Sequence, residues 1–209
     1  MTGDVSIMER LKEATAVQHR NAEHRRLQRA LVAGDVSADR YGAWLAQMLL
    51  LHRALWEEIA RRRDAEPALR TVQDEGLHVA NLRADLEALG VRPDTAEPLP
   101  ATRRAVAEIA ATGARDPVAL LGYNYVLEGS MNGNRFIARA LTPRLPQPAT
   151  KYLDPYGEEQ RPVWQAYRER MNTLALDPER AARVVEAARA LFSRIADLSD
   201  ELVGEPVSG

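Results

Sequence analysis

The sequence predicts an all-α, single-domain protein, and three observations carry that prediction. Ala, Leu, Glu and Arg, all good helix formers, dominate the chain, and the Val/Ile/Thr alternation of strands is missing. Apolar residues recur at helical spacing between short breaks marked by Gly and Pro. No linker, internal repeat or low-complexity block divides the 209 residues. A chain of this length removes roughly 70% of its unfolded surface from water, enough for a substantial core. The domain is expected over 7–203, between a flexible N-terminus at 1–6 and a loose tail at 204–209.

The first helix is expected over about Ile7–Val32, with Leu11, Thr15, Ala22 and Leu27 inward and Gly34-Asp35 as its stop. Ser37 is a good N-cap for a second helix to about Arg63, whose apolar side is Tyr41, Leu45, Met48, Leu49, Leu55, Trp56 and Ile59. Pro67 opens a third helix that stops near Gly90, with Leu69, Val72, Leu82, Leu86 and Leu89 facing inward. A Pro-containing loop follows, then a short helix over Ala101–Thr112. Asp116-Pro117 supplies a cap and a pre-set first turn for a long helix to about Leu141. After the prolines at 143, 146 and 148, a further helix covers about Gly157–Leu176, with Pro162 marking either its true start or a kink. Asp177-Pro178 repeats the capping device for the last helix, to about Val203.

The long helix stands apart because it carries Gly129 and Gly133 in its interior, with Ser130, Asn132 and Asn134 around them. Each such Gly costs about 1 kcal/mol against Ala. One reading is a kink or a close crossing of two helices. The other is bare backbone where a flat ligand approaches. Both predict a bend.

Composition excludes several chemistries. The chain has no Cys, which removes disulfides, thiolate ligation and Cys nucleophiles, so any metal must sit on N or O ligands. With 28 Lys+Arg against 30 Asp+Glu the net charge is -2, which gives no broad field for nucleic acid or an acidic membrane. The first residues lack the apolar core of a signal peptide, and no run reaches the roughly 20 apolar residues that span a bilayer. A cytoplasmic protein is expected.

Four histidines remain: His19, His24, His52 and His78. His19 borders the apolar stripe of the first helix, where an imidazole serves either as a hydrogen-bonded border residue or as an axial iron ligand. His24 falls on a different arc, and His52 beside Leu51 is ambiguous. Glu75 and His78 form a single Glu-x-x-His, whereas a dimetal bundle needs two, with further carboxylates such as Glu23, Glu57 or Glu128. Lys12 lies two turns before His19 on nearly the same side, within about 10 Å along the helix, where it can meet a ligand carboxylate. Arg135 and Arg168 are further candidates, and all three also suit the bland role of solvated cations.

Three segments together resemble the haem oxygenase family. Leu11-Lys-Glu-Ala-Thr-Ala-Val-Gln-His19-Arg-Asn-Ala-Glu23 is similar to the family's start, where Lys-Glu-Ala-Thr precedes the proximal His. Tyr125-Val-Leu-Glu-Gly-Ser-Met-Asn-Gly-Asn134 resembles the distal helix of bacterial members, and Tyr167-Arg-Glu-Arg-Met-Asn-Thr-Leu174 a motif of the animal-type enzymes. They occur in the family's order and span almost the whole chain.

The resemblance implies a haem-oxygenase-like helical fold with a kinked distal helix. It implies cleavage of haem b, both substrate and cofactor, to biliverdin, CO and iron. O2 and electrons from a donor such as a ferredoxin or flavoprotein reductase would be consumed. Carried over, His19 is the iron ligand and Glu23 its proximal neighbour. Lys12, Tyr125 and Arg168 hold the propionates, and Gly129 and Gly133 pack over the haem face, with Ser130 and Asn134 beside them as distal residues. The chain departs from the family in three places. Asn134 follows Gly133 where a second Gly is usual, Ser130 stands at the animal-type Asp, and Trp164 replaces a second basic propionate partner. Two alternatives on the same fold are a tetrapyrrole binder without turnover and a dimetal oxidase using Glu23, Glu75, His78 and His24 or His52.

Overall fold

The computed structural model describes residues 5–72 and 75–204, without the Glu75 side chain. The expected ends at 1–4 and 205–209, and the Glu75 carboxylate, therefore lie outside the described residues. Eight α-helices joined by short 3-10 turns make up the described residues, with no strand among them.

α1 covers Ile7–Glu23 and starts at a capping box in which Ser6 and Glu9 satisfy each other's backbone. The single first helix expected from the sequence is in fact two. The chain leaves the helix at His24, passes through an extended Arg25, and resumes as α2 over Arg26–Ala33. Tertiary contacts outweigh local propensity here. Arg25 reaches the buried Asp200 at 3.1 Å, and the new direction fully buries Leu27 and Leu31. Gly34 ends α2 in the left-handed conformation (φ 68°).

α3, Ala38–Arg62, is capped by Ser37 as expected. Its inner side carries Tyr41, Leu45, Leu49 and Leu55, but Trp56 turns out to be exposed. The third expected helix divides into a 3-10 turn at Pro67–Thr71 and α4 at Glu75–Ala88. α5 runs over Pro100–Arg115, α6 over Leu120–Leu141, α7 over Gln160–Asn172 and α8 over Pro178–Val203. Pro162 sits in the first turn of α7, where its missing N–H is no loss. Asp177 caps α8 as expected.

α8 is the hub, packed against α1, α2, α5 and α6, while α3 packs on α4 and α5. α6 crosses α8 closely at a third glycine. A Cβ on Gly122 would stand 2.0 Å from the Val184 carbonyl oxygen. Close helix crossing thus belongs to Gly122, not to Gly129 or Gly133, and α6 runs unbroken through all three.

Candidate functional site

A cleft of about 460 Å³ opens between α1 and α6, with α3, α8 and the segment around Tyr152 forming its depth. His19, Ala22 and Glu23 line one wall, and Gly129, Ser130, Gly133 and Asn134 the other. Val126, Ile137, Met48 and Ile195 make the interior largely apolar.

On the α1 wall, His19 Nδ1 lies 3.2 Å from the Glu23 carboxylate one turn on. With Nδ1 so held, Nε2 is the nitrogen left for coordination. Phe192 of α8 meets the imidazole edge-on, ring centres 5.4 Å apart, and restricts its tilt.

On the α6 wall the two glycines differ. A Cβ at Gly133 would meet nothing within 4 Å, whereas at Gly129 it would come 3.4 Å from the Trp164 ring. Gly133 therefore leaves space on the cleft side, while Gly129 also accommodates an aromatic neighbour. Ser130 donates to the Leu127 carbonyl at 2.7 Å. Asn134 is buried, and its amide nitrogen makes only long contacts, 3.5 Å to Ser130 Oγ and 3.7 Å to Met131 Sδ. It keeps donor capacity.

Lys12, Tyr125 and Arg168 do not line the cleft. Lys12 and Arg168 are exposed, and Tyr125 is half-buried next to both Thr15 and Arg168. Burial pushes the Tyr125 hydroxyl above its ordinary range, against the opposing pull of Thr15 and Arg168. Tyr125 also packs on Trp164, which stacks on Tyr167 at 5.3 Å.

Behind α6 lies a buried polar assembly that the sequence reading missed. His78 of α4 contacts Glu128, the residue before Gly129, at 2.9 Å, and the Tyr156 hydroxyl donates to the same carboxylate at 3.3 Å. His52 contacts the Tyr152 hydroxyl at 3.1 Å, and its ring centre is 5.2 Å from that of His78. Asp85 accepts from the backbone N–H groups of Lys151 and Tyr152, and burial raises its carboxyl pKa against these bonds. One signal was available: a His inside the apolar run of α3 is either a ligand or a buried hydrogen-bonding group. His78 is engaged with Glu128, apart from Glu23 of the cleft, and no group of three or more metal-binding side chains exists among the described residues. The dimetal arrangement is not formed by these side chains. No helix among the described residues is long and apolar enough to cross a membrane.

Residues 5–201 match a family model described as heme oxygenase. Among curated proteins the chain is similar to heme oxygenase 1 of Bos taurus, 28% identical over 95% of this chain and 72% of the relative. It is likewise similar to heme oxygenase 1 of Homo sapiens, 29% identical over 94% and 71%. Among solved structures, heme oxygenase from Leptospira interrogans superposes with a TM-score of 0.85 at 20% identity, covering 94% of this chain and all of that one. Heme oxygenase-1 from Synechocystis, solved in complex with heme, gives a TM-score of 0.84 at 22% identity, covering 96% and 93%. The last two likenesses concern the fold.

Proposed function

The chain belongs to the heme oxygenase family, and from that premise we propose that haem b lies in the cleft between α1 and α6 with His19 on its iron. The activity is the degradation of haem to biliverdin. One observation supports the placement above others: an imidazole with one nitrogen held by a carboxylate faces, across an apolar cleft, a helix wall that is bare at Gly133. That donor set and that shape fit a flat, largely apolar macrocycle with a single axial ligand.

Bound there, haem would supply the iron that activates O2 and the meso carbon that is oxidised, with electrons from an external ferredoxin or flavoprotein reductase. The chain's own residues bind and orient. Glu23, 3.2 Å from His19 Nδ1, orients the imidazole and leaves Nε2 for the iron. Phe192 holds the ring plane. Gly133 lets the α6 backbone approach the opposite face without offering a second ligand. Asn134 presents an amide donor to a small polar ligand, steadied by the Ser130 oxygen. Lys12 and Arg168, outside the cleft and exposed, meet the propionates at the solvent edge, with Tyr125 between α1 and α7 fixing that end.

Titration with haemin tests this directly. One equivalent should bind with a histidine-type Soret band, and a reductant in air should convert it to the broad red absorption of biliverdin. Binding without decay under several electron donors would make the protein a carrier. No binding would remove haem from the cleft.

A further inference from the structure

One turn of the α6 wall is gripped from α7 by a pair of side-chain amides. Asn132 donates through Nδ2 to the Gly129 carbonyl, three residues back, at 3.0 Å, and its Oδ1 accepts from Gln160 Nε2 at 3.2 Å. The chain of bonds fixes both amides. A carbonyl only accepts, so Asn132 turns its nitrogen to Gly129 and its oxygen to Gln160, which must present nitrogen in turn. Trp164, one turn on from Gln160, lays its ring against Gly129. The turn so held is the part of α6 least able to hold itself. Gly129 and Gly133 give it permissive backbone at both ends, and an Asn side chain bonded back to its own helix offers the backbone an alternative to the ladder. Gln160 is 2% exposed at the first position of α7, and its Oε1 is buried with no donor among the described residues. A buried amide with one end unsatisfied costs stability that an apolar side chain of the same length would not, so its value lies in what it orients.

We propose that Gln160 is a positioning residue for the cleft: acting through Asn132, it fixes the 129–133 turn of α6 and so sets the room over the macrocycle face opposite His19. The inference rests on the cleft placement above. Gly129, Asn132 and Gly133 all line the cleft, whereas Gln160 does not, so its influence passes through the turn. A turn held from α7 leaves space for a diatomic ligand and excludes a bulkier one. Once it is released, the two glycines let the wall give way, and the ligand that gains is the larger. Gln160 thus governs the size of what reaches the iron, while the grip on the iron belongs to the α1 wall with His19 and Glu23.

Gln160→Met keeps the length of the side chain and removes the amide, and two readouts follow it. In the ligand-free protein, amide hydrogen exchange at Gly133 and Asn134 should quicken about three- to tenfold, the range of one neutral hydrogen bond, with the α8 amides unchanged. In the ferric haemin complex, imidazole affinity should rise about three- to tenfold relative to azide affinity, because only the larger ligand needs the wall to yield. In an Asn132→Ala background the same substitution should change neither readout further, since its partner is gone. An unchanged imidazole-to-azide ratio overturns the assignment even where exchange quickens, because the turn is then held for stability alone. An equal effect with and without Asn132 overturns it too, because Gln160 then acts by packing. Native protein that binds no haemin overturns the cleft reading instead, while the exchange arm still decides whether Gln160 holds the turn. Should Gln160→Met not fold, Asn132→Ala breaks the same bond from the other side, and native exchange rates in that variant refute the clamp.

Discussion

The two walls of the cleft are built by opposite means. On the α1 wall, His19 and Glu23 are one turn apart on one helix, with side chains 53% and 63% exposed, and their contact needs only helical geometry. On the α6 wall, Glu128, Met131 and Asn134 are buried, and their positions depend on other parts of the fold. His78 and Tyr156 hold Glu128, Gln160 donates to Asn132, and the Trp164 ring rests on Gly129. The His19 side is therefore local and cheap to alter, while the opposite side is tertiary and costly to alter. Function and stability should separate across the cleft.

His19→Ala gives the largest expected effect and the sharpest form of this contrast. Loss of the proposed iron ligand should lower turnover by more than about a hundredfold, since even outer-shell partners of metal ligands are worth 10–100-fold. The ferric absorption spectrum should lose its histidine character. The unfolding midpoint should barely move, because an exposed side chain contributes within about 0.5 kcal/mol. Native turnover with a native spectrum would remove His19 from the iron.

Glu128→Ala reverses the pattern. Removing the carboxylate strips His78 and Tyr156 of a shared buried partner, and breaking such a pair costs about 3–5 kcal/mol. Denaturant unfolding should show that loss, while the haem-bound variant keeps its histidine-type spectrum because His19 and Glu23 are untouched. A loss below about 1 kcal/mol would mean that the α6 wall does not depend on the assembly behind it.

The same contrast explains what the sequence made legible. Most helices, the caps at Ser37 and Asp177 and the grouping of His19, Glu23, Gly129, Ser130, Gly133 and Asn134 along one cleft were readable, because caps and i,i+4 neighbours are local and the motifs are contiguous. The break between α1 and α2 was not, since a buried ion pair from Arg25 to Asp200, far along the chain, fixes it. Nor was the polar assembly, whose members His52, His78, Glu128, Tyr152 and Tyr156 come from four separate stretches. Nothing in the sequence singles out Trp44 or Phe192, and only packing shows that they line a cleft. Of the two readings left open for Gly129 and Gly133, the close crossing falls instead at Gly122, because sequence spacing does not say which residue another helix will meet.

The smallest expected effect divides the α6 wall itself. Gly133 and Gly129 lie one turn apart on the same helix and carry the same propensity penalty, about 1 kcal/mol each against Ala. At Gly133 a methyl group would meet nothing within 4 Å, so Gly133→Ala should stabilise the ligand-free protein by up to about that amount, read as a higher unfolding midpoint. The same methyl group projects where a macrocycle face would lie, so haemin affinity should fall in the variant that is the more stable. At Gly129 the methyl group meets Trp164 at 3.4 Å, an ordinary contact, so Gly129→Ala should gain similar stability with a smaller loss of affinity. A gain in stability paired with a loss of affinity at Gly133, and weaker pairing at Gly129, is the signature of backbone kept bare for a ligand. If both variants gain stability and bind haemin as the native protein does, the glycines serve the helix alone, and the space beside Gly133 lies off the macrocycle.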